Sequence, residues 1–459
     1  MKSIITDDTI VALSTPAGKG AIGVIRLSGP ASFAICEKLF PALKLQEAPS
    51  HTLHFGIAMD GKEVVDEAVV GLFRAPKSYT CQDVIEISCH GSPFILQKVL
   101  QLLIKHGARP AKPGEFTMRA FLNGRFDLSQ AEAVSDLIAS ESEAAHHIAI
   151  NQMRGGFSDE LKNLRQKLMD FASLIELELD FSEEDVEFAN RKQLISLLKE
   201  MLIRIEALSE SFRLGNVLKN GVSTVIAGRP NAGKSTLLNA LLNEERAIVS
   251  DIPGTTRDTI EEVISIQGIV FRLTDTAGIR EAADIIEKQG VERTMQKIQQ
   301  ASIVIYLFDA AEFSEKEVLE DVKKLSKNEL VPIIPVANKV EGEVETKVKA
   351  EFKDIKNLIP ISAKKGNGVE TLKAKLCETA LNGKQIQESV VLTNLRHYEA
   401  LQETLKDLTK ALKGVETKLS GELVSSDIRS ALGHLGEITG EVTTDDLLGN
   451  IFSRFCIGK

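Results

Sequence analysis

Residues 228–235 read GRPNAGKS, a GxxxxGK[ST] pattern between the apolar run STVIA and the helix-like run STLLNALL. Glycines let such a loop turn tightly, so that its successive backbone N–H groups close round phosphate oxygens. In that geometry Asn231, Ala232, Gly233, Lys234, Ser235 and Thr236 line a nucleotide's phosphates. Lys234 reaches the β- and γ-phosphates, Ser235 offers its hydroxyl to Mg2+, and the N-terminus of the next helix adds its dipole. Further on, DTAG (Asp275, Thr276, Ala277, Gly278) ends an apolar strand, as expected if Asp275 holds Mg2+ through water and the Gly278 N–H meets the γ-phosphate. NKVE (Asn338, Lys339, Glu341) and SAK (Ser362, Ala363, Lys364) close two further strand-like runs, a base-binding edge at the carboxyl ends of parallel strands. The sequence stops on FCIGK, residues 455–459. Either this end is frayed and inert, or it docks in a site where Cys456 and Lys459 work. In the second case the charge of Lys459 would favour a Cys456 thiolate.

These residues need elements to hold them. A length of 459 residues suggests roughly two to four domains. The five cysteines are scattered without a CxxC pair, which argues against a disulfide framework and a zinc site and for a reducing compartment. A net charge of −10 argues against broad nucleic-acid binding, so any RNA contact needs a local basic patch or a basic partner. No apolar run is long enough for a membrane span and no leader pattern follows Met1, so the expectation is a cytoplasmic protein without a membrane.

Residues 1–123 mix strand-like runs (AIGVIRLSG, EAVVGLF, DVIEIS) with a helical run, PFILQKVLQLLIKHG, an α+β domain. Residues 124–220 turn helical: Leu161, Leu164, Leu168, Phe171 and Ile175 step by three and four, as do Leu194, Leu197, Leu198, Met201, Ile205 and Leu208. The acidic SEEDVE between these helices reads as a solvated turn. In residues 221–382 β-branched runs alternate with helices, predicting a parallel sheet covered on both faces. Residues 383–459 are helical again, with Tyr398, Leu401, Leu405, Leu408 and Leu412 in register. The α/β block therefore reads as an insertion into an all-α domain split in two.

The order and spacing of the nucleotide motifs resemble those of the translation-factor-like GTPases. In that pattern the acid of NKxD accepts hydrogen bonds from guanine; here it is Glu341, one methylene longer than Asp. Ras-like GTPases place a water-orienting Gln directly after DxxG, whereas this chain has Ile279, which predicts slow intrinsic hydrolysis unless another polar group is supplied. SDIPGTTRD, residues 250–258, has the look of a switch loop closing over Mg2+ (Ser250, Asp251, Ile252, Pro253, Gly254, Thr255, Thr256), with Thr256 as ligand. The Asn231 amide could help hold a monovalent cation, or Asn231 is simply a tolerant turn residue.

Taken with residues 8–29 (DTIVALSTPAGKGAIGVIRLSG), 113–138 (PGEFTMRAFLNGRFDLSQAEAVSDLI) and 438–459 (ITGEVTTDDLLGNIFSRFCIGK), the whole chain resembles the bacterial and organellar family of tRNA-modification GTPases called MnmE or TrmE. The resemblance implies an N-terminal folate-binding domain, a split helical domain and an inserted Ras-like G domain. It implies a homodimer through the N-terminal domains, with G domains that pair when GTP and K+ are bound. It assigns K+ to Asn231, Thr255 and the carbonyls of Ser250 and Ile252, and an indirect water-orienting role to Glu287, which the residues alone would leave as a solvated helix position. It implies that, with the flavoprotein MnmG, which alone carries FAD, in a heterotetramer or larger complex, the family adds a carboxymethylaminomethyl or aminomethyl group to C5 of the tRNA wobble uridine. The carbon comes from a tetrahydrofolate derivative in its 5,10-methylene or 5-formyl form. Arg26, Glu86, Arg125 and Lys459 match the folate contacts, and the tail bearing Cys456 runs back towards the folate domain. Position 125 departs from the family's usual Lys, and SYTCQD departs from SYTGED through Cys81 and Gln82. Two other readings are a regulatory or ribosome-assembly GTPase, and a folate-dependent one-carbon transferase with a vestigial nucleotide domain. The first leaves the FCIGK end unexplained, and the intact Lys234, Ser235, Thr256 and Asp275 oppose the second.

Overall fold

The computed structural model describes residues 8–180, 190–245, 261–275, 301–325, 331–381 and 391–459. Two compact units divide the chain. One gathers Met1–Ile138, Ile150–Leu202 and Ala400–Lys459; the other gathers Ala139–Ala149 and Ile203–Glu399.

The first unit contains a six-stranded sheet: β1 (Ile10–Leu13), β2 (Ile22–Ser28), β3 (Thr52–Asp60), β4 (Glu63–Phe73), β5 (Val84–His90) and β6 (Arg109–Pro110), in the order β3-β4-β5-β2-β1-β6. Neighbours run antiparallel except β1 and β6, which are parallel. Alternation in β2, β4 and β5 sends Ile25, Leu27, Val70, Leu72, Ile85 and Ile87 to one face. There they pack with Cys36 and Leu39 of the helix Ser32–Leu39 and with Val99 and Leu103 of the helix Pro93–Lys105. The opposite parity places Arg26 directly across from Glu86 on the other face, where the rings of Tyr79 and Phe116 pack on Arg26. The three strands missing from the motif reading, β1, β3 and β6, are short or carry mixed polar residues and give a weak period.

Helices Leu128–Ile138, Gly156–Asp180 and Gly421–Thr439 belong to this unit, as do the first part of Arg191–Asn220 and most of Leu395–Glu416. Leu161, Leu164, Leu168, Ile175, Leu194 and Leu198 are buried as their spacing predicts, and Phe171 is half-buried. The helix Asp445–Phe452 starts on Thr444, whose side chain accepts from Leu447 N at 3.2 Å, with Asp445 and Asp446 set favourably in its first turn. Its Phe452 packs with Leu128, Ala131 and Leu448, against Phe121 and Phe455, and this cluster aims the last residues back at the sheet.

The second unit carries β7 (Val222–Ala227), β8 (Glu261–Ile266), β9 (Ile269–Asp275), β10 (Ile303–Asp309), β11 (Ile333–Asn338) and β12 (Ile359–Pro360), ordered β12-β11-β10-β7-β9-β8. The central strands are parallel as expected; every residue of β10 is buried. The expectation of a wholly parallel sheet is corrected at one edge, where β8 and β9 form an antiparallel hairpin turning at Gln267 and Gly268, both with positive φ. A hairpin strand has the same two-residue period as a parallel one, so the pattern could not separate them. SEEDVE and the switch-like stretches fall outside the described residues.

Candidate functional site

The nucleotide loop follows from two steric constraints. β7 ends at Ala227, and at Gly228 (φ 156°) a Cβ would stand 2.1 Å from Leu307 O on β10. At Gly233 (φ 91°) a Cβ would stand 2.4 Å from Asn338 Nδ2. Only glycine fits at either place, so the backbone itself forms the floor of the cradle. Between them Asn231 sits in the left-handed region at φ 60°, which a short polar side chain tolerates. Ser235 and Thr236 are exposed on the first turn of the helix Lys234–Glu245.

The buried Asn338 ties the loops together. Its Nδ2 donates to Ala232 O at 2.8 Å and its Oδ1 accepts from Ala363 N at 3.0 Å, so one amide holds the phosphate loop and the SAK loop. Removing it strands two buried backbone groups, at about 1–3 kcal/mol each. Lys234 Nζ donates to Gly228 O and Arg229 O, both at 3.0 Å, which places the ammonium at the mouth of the loop, where phosphate oxygens are stronger acceptors. Lys339, at φ 60°, pairs with the buried Asp309 at 2.6 Å. Glu341 accepts from Ser362 Oγ at 2.6 Å, and its other oxygen lies 2.6 Å from Lys365 Nζ. Those two donors, Lys365 first, hold its carboxyl below the ordinary range. Lys364 is exposed beside them.

Arg229, inside the loop, donates to Asp321 at 2.7 Å while its guanidinium lies 4.5 Å over the Phe313 ring. Asp321 also accepts from Tyr306 Oη at 2.8 Å. Arg229, Asp309 and Lys365 were not singled out from the sequence, because a charge in a loop looks the same whether braced or solvated. Asp275 closes β9, and the remaining candidates (Ser250, Asp251, Ile252, Pro253, Gly254, Thr255, Thr256, Thr276, Ala277, Gly278 and Glu287) lie outside the described residues.

A second constellation belongs to the first unit. Arg26 Nε and Nη2 both reach Glu86 Oε1, at 2.9 and 2.7 Å, so Oε2 takes no bond from Arg26. The Arg26 guanidinium lies 5.0 Å from the Tyr79 ring, and Arg125 lies 5.3 Å from the same ring. The ring of Tyr79 thus offers its π-electrons to two cations. Its hydroxyl bonds to Thr117 Oγ1 at 2.9 Å, and burial pushes its pKa up. Arg125 Nη1 also donates to Ser78 O. The departure SYTCQD is accommodated: Cys81 adopts φ 58°, a conformation suited to glycine, while Gln82 Oε1 accepts from Ser28 Oγ at 3.0 Å and Arg119 Nη1 at 3.2 Å.

The chain's end reaches this place. Gly458 O accepts from Ser14 Oγ at 3.2 Å and from Arg26 Nη1 at 3.5 Å, and Gly114 N donates to Cys456 O at 3.3 Å. Gly458 has φ 95°, and a Cβ on it would stand 2.4 Å from Leu13 O. Hence the frayed reading of FCIGK is wrong: the tail is docked. Cys456 is the exposed cysteine of the five, whereas Cys36 and Cys89 are buried and burial pushes the Cys89 thiol up to about 12. Lys459 is half-buried. Tyr79 and Ser14 went unnoticed in the sequence although both lie inside quoted stretches.

A glycine-floored loop between a strand and a helix, with base-side loops at the carboxyl ends of neighbouring parallel strands, defines a P-loop GTPase, an enzyme that hydrolyses GTP. Residues 128–456 match the family model described as MnmE helical domain, and residues 9–125 match GTP-binding protein TrmE N-terminus. The chain is 57% identical over 452 residues to the tRNA modification GTPase MnmE of Cytophaga hutchinsonii, covering 98% of each chain. It is 51% identical over 471 residues to that of Christiangramia forsetii, covering 99% of each, and 51% identical over 466 residues to that of Flavobacterium johnsoniae, covering 99% of this chain and 100% of that one. The chain belongs to the MnmE family of tRNA modification GTPases. No helix among the described residues is long and apolar enough to cross a membrane.

Tail docking yields a direct check. Gly458→Ala meets Leu13 O and a disfavoured φ, so carboxypeptidase should release the last residues several-fold faster than from the unchanged chain. Equal release rates would mean that the tail is not held.

Proposed function

We propose that this chain couples GTP hydrolysis to C5 modification of the tRNA wobble uridine, acting with the flavoprotein MnmG, which carries FAD, on a carbon supplied by tetrahydrofolate. The observation that carries this reading is the docked tail: Gly458 meets Arg26 and Ser14 at the edge of the Glu86 site. Glu86 Oε2 suits the adjacent N–H donors of a pterin, Arg26 fixes that carboxylate through its other oxygen, and Arg125 suits a carboxylate of a folate's glutamyl tail. A bound tetrahydrofolate in its 5,10-methylene or 5-formyl form would supply the one-carbon unit. Lys459 and Cys456 would lie beside it, Lys459 adding positive charge and Cys456 an accessible sulfur.

In the G domain, Ser235 and Thr256 would hold Mg2+, with Asp275 acting through water. Asn231, together with Ser250, Ile252 and Thr255, would hold K+ where it offsets negative charge developing on the phosphates. Glu287 would orient the attacking water in place of the glutamine that Ile279 replaces. A homodimer fits the uncovered face of the first sheet, where Leu53 (75% exposed), Phe55 (65%) and Val69 (38%) form a contiguous apolar surface across β3 and β4. Residues 1–123, 124–220, 221–382 and 383–459 would be the folate, helical, G and second helical segments of a cytoplasmic protein.

Two experiments test this. TRNA nucleosides from cells lacking the gene should lose C5-modified wobble uridines while keeping 2-thiolation, and the Lys234→Ala chain should not restore them. Unchanged nucleosides would give the lead to a regulatory GTPase. Replacing K+ by Na+ should slow GTP hydrolysis by more than about tenfold, a modest part of what transition-state cations contribute. Equal rates in the two salts would remove the cation role of Asn231.

A further inference from the structure

We propose that Lys365 is a positioning residue for base recognition: with Ser362 it holds the Glu341 carboxylate in one orientation as the acceptor for a guanine's N–H donors. This rests on Glu341 being the base acceptor.

The extra methylene of Glu341 adds a torsion, and a half-exposed acceptor with free torsions must be ordered when the nucleotide binds, which weakens binding. Glu341 is ordered beforehand. One carboxylate oxygen accepts from Ser362 Oγ at 2.6 Å and the other lies 2.6 Å from Lys365 Nζ. Both donors ride on one tight turn: Ser362 N donates to Asn367 O at 2.9 Å, Lys365 N to Ser362 O at 3.1 Å, and Gly366 N to the same oxygen at 2.9 Å. That turn is joined to the Glu341 loop by Val340 N donating to Ile361 O at 3.0 Å and by the Ala363–Asn338 bond. The brace and the acceptor therefore move together.

Each carboxylate oxygen keeps a second lone pair, so two further donors can be accepted side by side. Guanine presents two, N1–H and the 2-amino group; hypoxanthine presents N1–H alone. Two parallel bonds demand a fixed carboxylate plane more than one bond does. Lys365 lies just beyond SAK, and its exposed ammonium would otherwise pass for a solubilising charge.

GDP and IDP should be titrated by displacement of a fluorescent GDP analogue. Lys365→Met should weaken GDP about two- to fivefold, the scale of an exposed ion pair, and IDP less, so that the preference for GDP narrows. Lys365→Arg should restore the preference. An unchanged GDP affinity, or GDP and IDP weakened by one common factor, overturns the brace. Glu341→Ala separates the two ideas. If it leaves the GDP preference intact, the base-acceptor reading fails and the proposal with it. If it abolishes the preference while Lys365→Met does not narrow it, only the brace fails.

Discussion

The carbonyl of Gly458, held by Ser14 and Arg26, closes the chain onto its own first sheet. That contact spans 444 positions of sequence and lies within the one compact unit that holds both the first sheet and the last helices. It also fixes what else Arg26 can do. With Nη1 turned to the tail, its Nε and Nη2 converge on one oxygen of Glu86, and the second oxygen takes no bond from Arg26. Tyr79 completes the arrangement as the ring that both the Arg26 and the Arg125 guanidinium approach. The rings of Tyr79 and Phe116 and the docked tail together shield this cross-strand pair, which on an open sheet would be worth little in water.

The G domain is organised on the same principle, by one group with two partners. Asn338 bonds to Ala232 and Ala363, and in doing so sets the spacing between the phosphate loop and the base loops. The close approach that excludes a side chain at Gly233 is the approach of this same amide. Lys339 and Glu341 on either side of Val340 are each drawn to a fixed counter-charge, Asp309 and Lys365. Both side chains are therefore held by partners within the fold.

Much of this was legible in the sequence because the signals were periodic or steric. β2, β4 and β5 announced themselves by alternation, the helices through Leu161 and Leu198 by their three-and-four spacing, and the phosphate loop by glycines that structure makes obligatory at 228 and 233. Unreadable features depend on contacts remote in sequence. The antiparallel turn of β8 has the period of a parallel strand. Cys81 by its own residue type does not announce a left-handed backbone, although it stands where the resembled pattern has Gly, and Lys365 looks like any surface lysine until it meets Glu341. FCIGK raised two readings that only the position of Leu13 and Ser14 could separate.

The central claim is that the docked tail completes a folate site with Arg26, Glu86 and Arg125. Isothermal titration of 5-formyltetrahydrofolate into the full chain and into a chain lacking residues 456–459 tests it most directly. Binding to the full chain and its loss on truncation is the predicted result. Equal affinity for the two chains would contradict it, leaving the tail as a packing element.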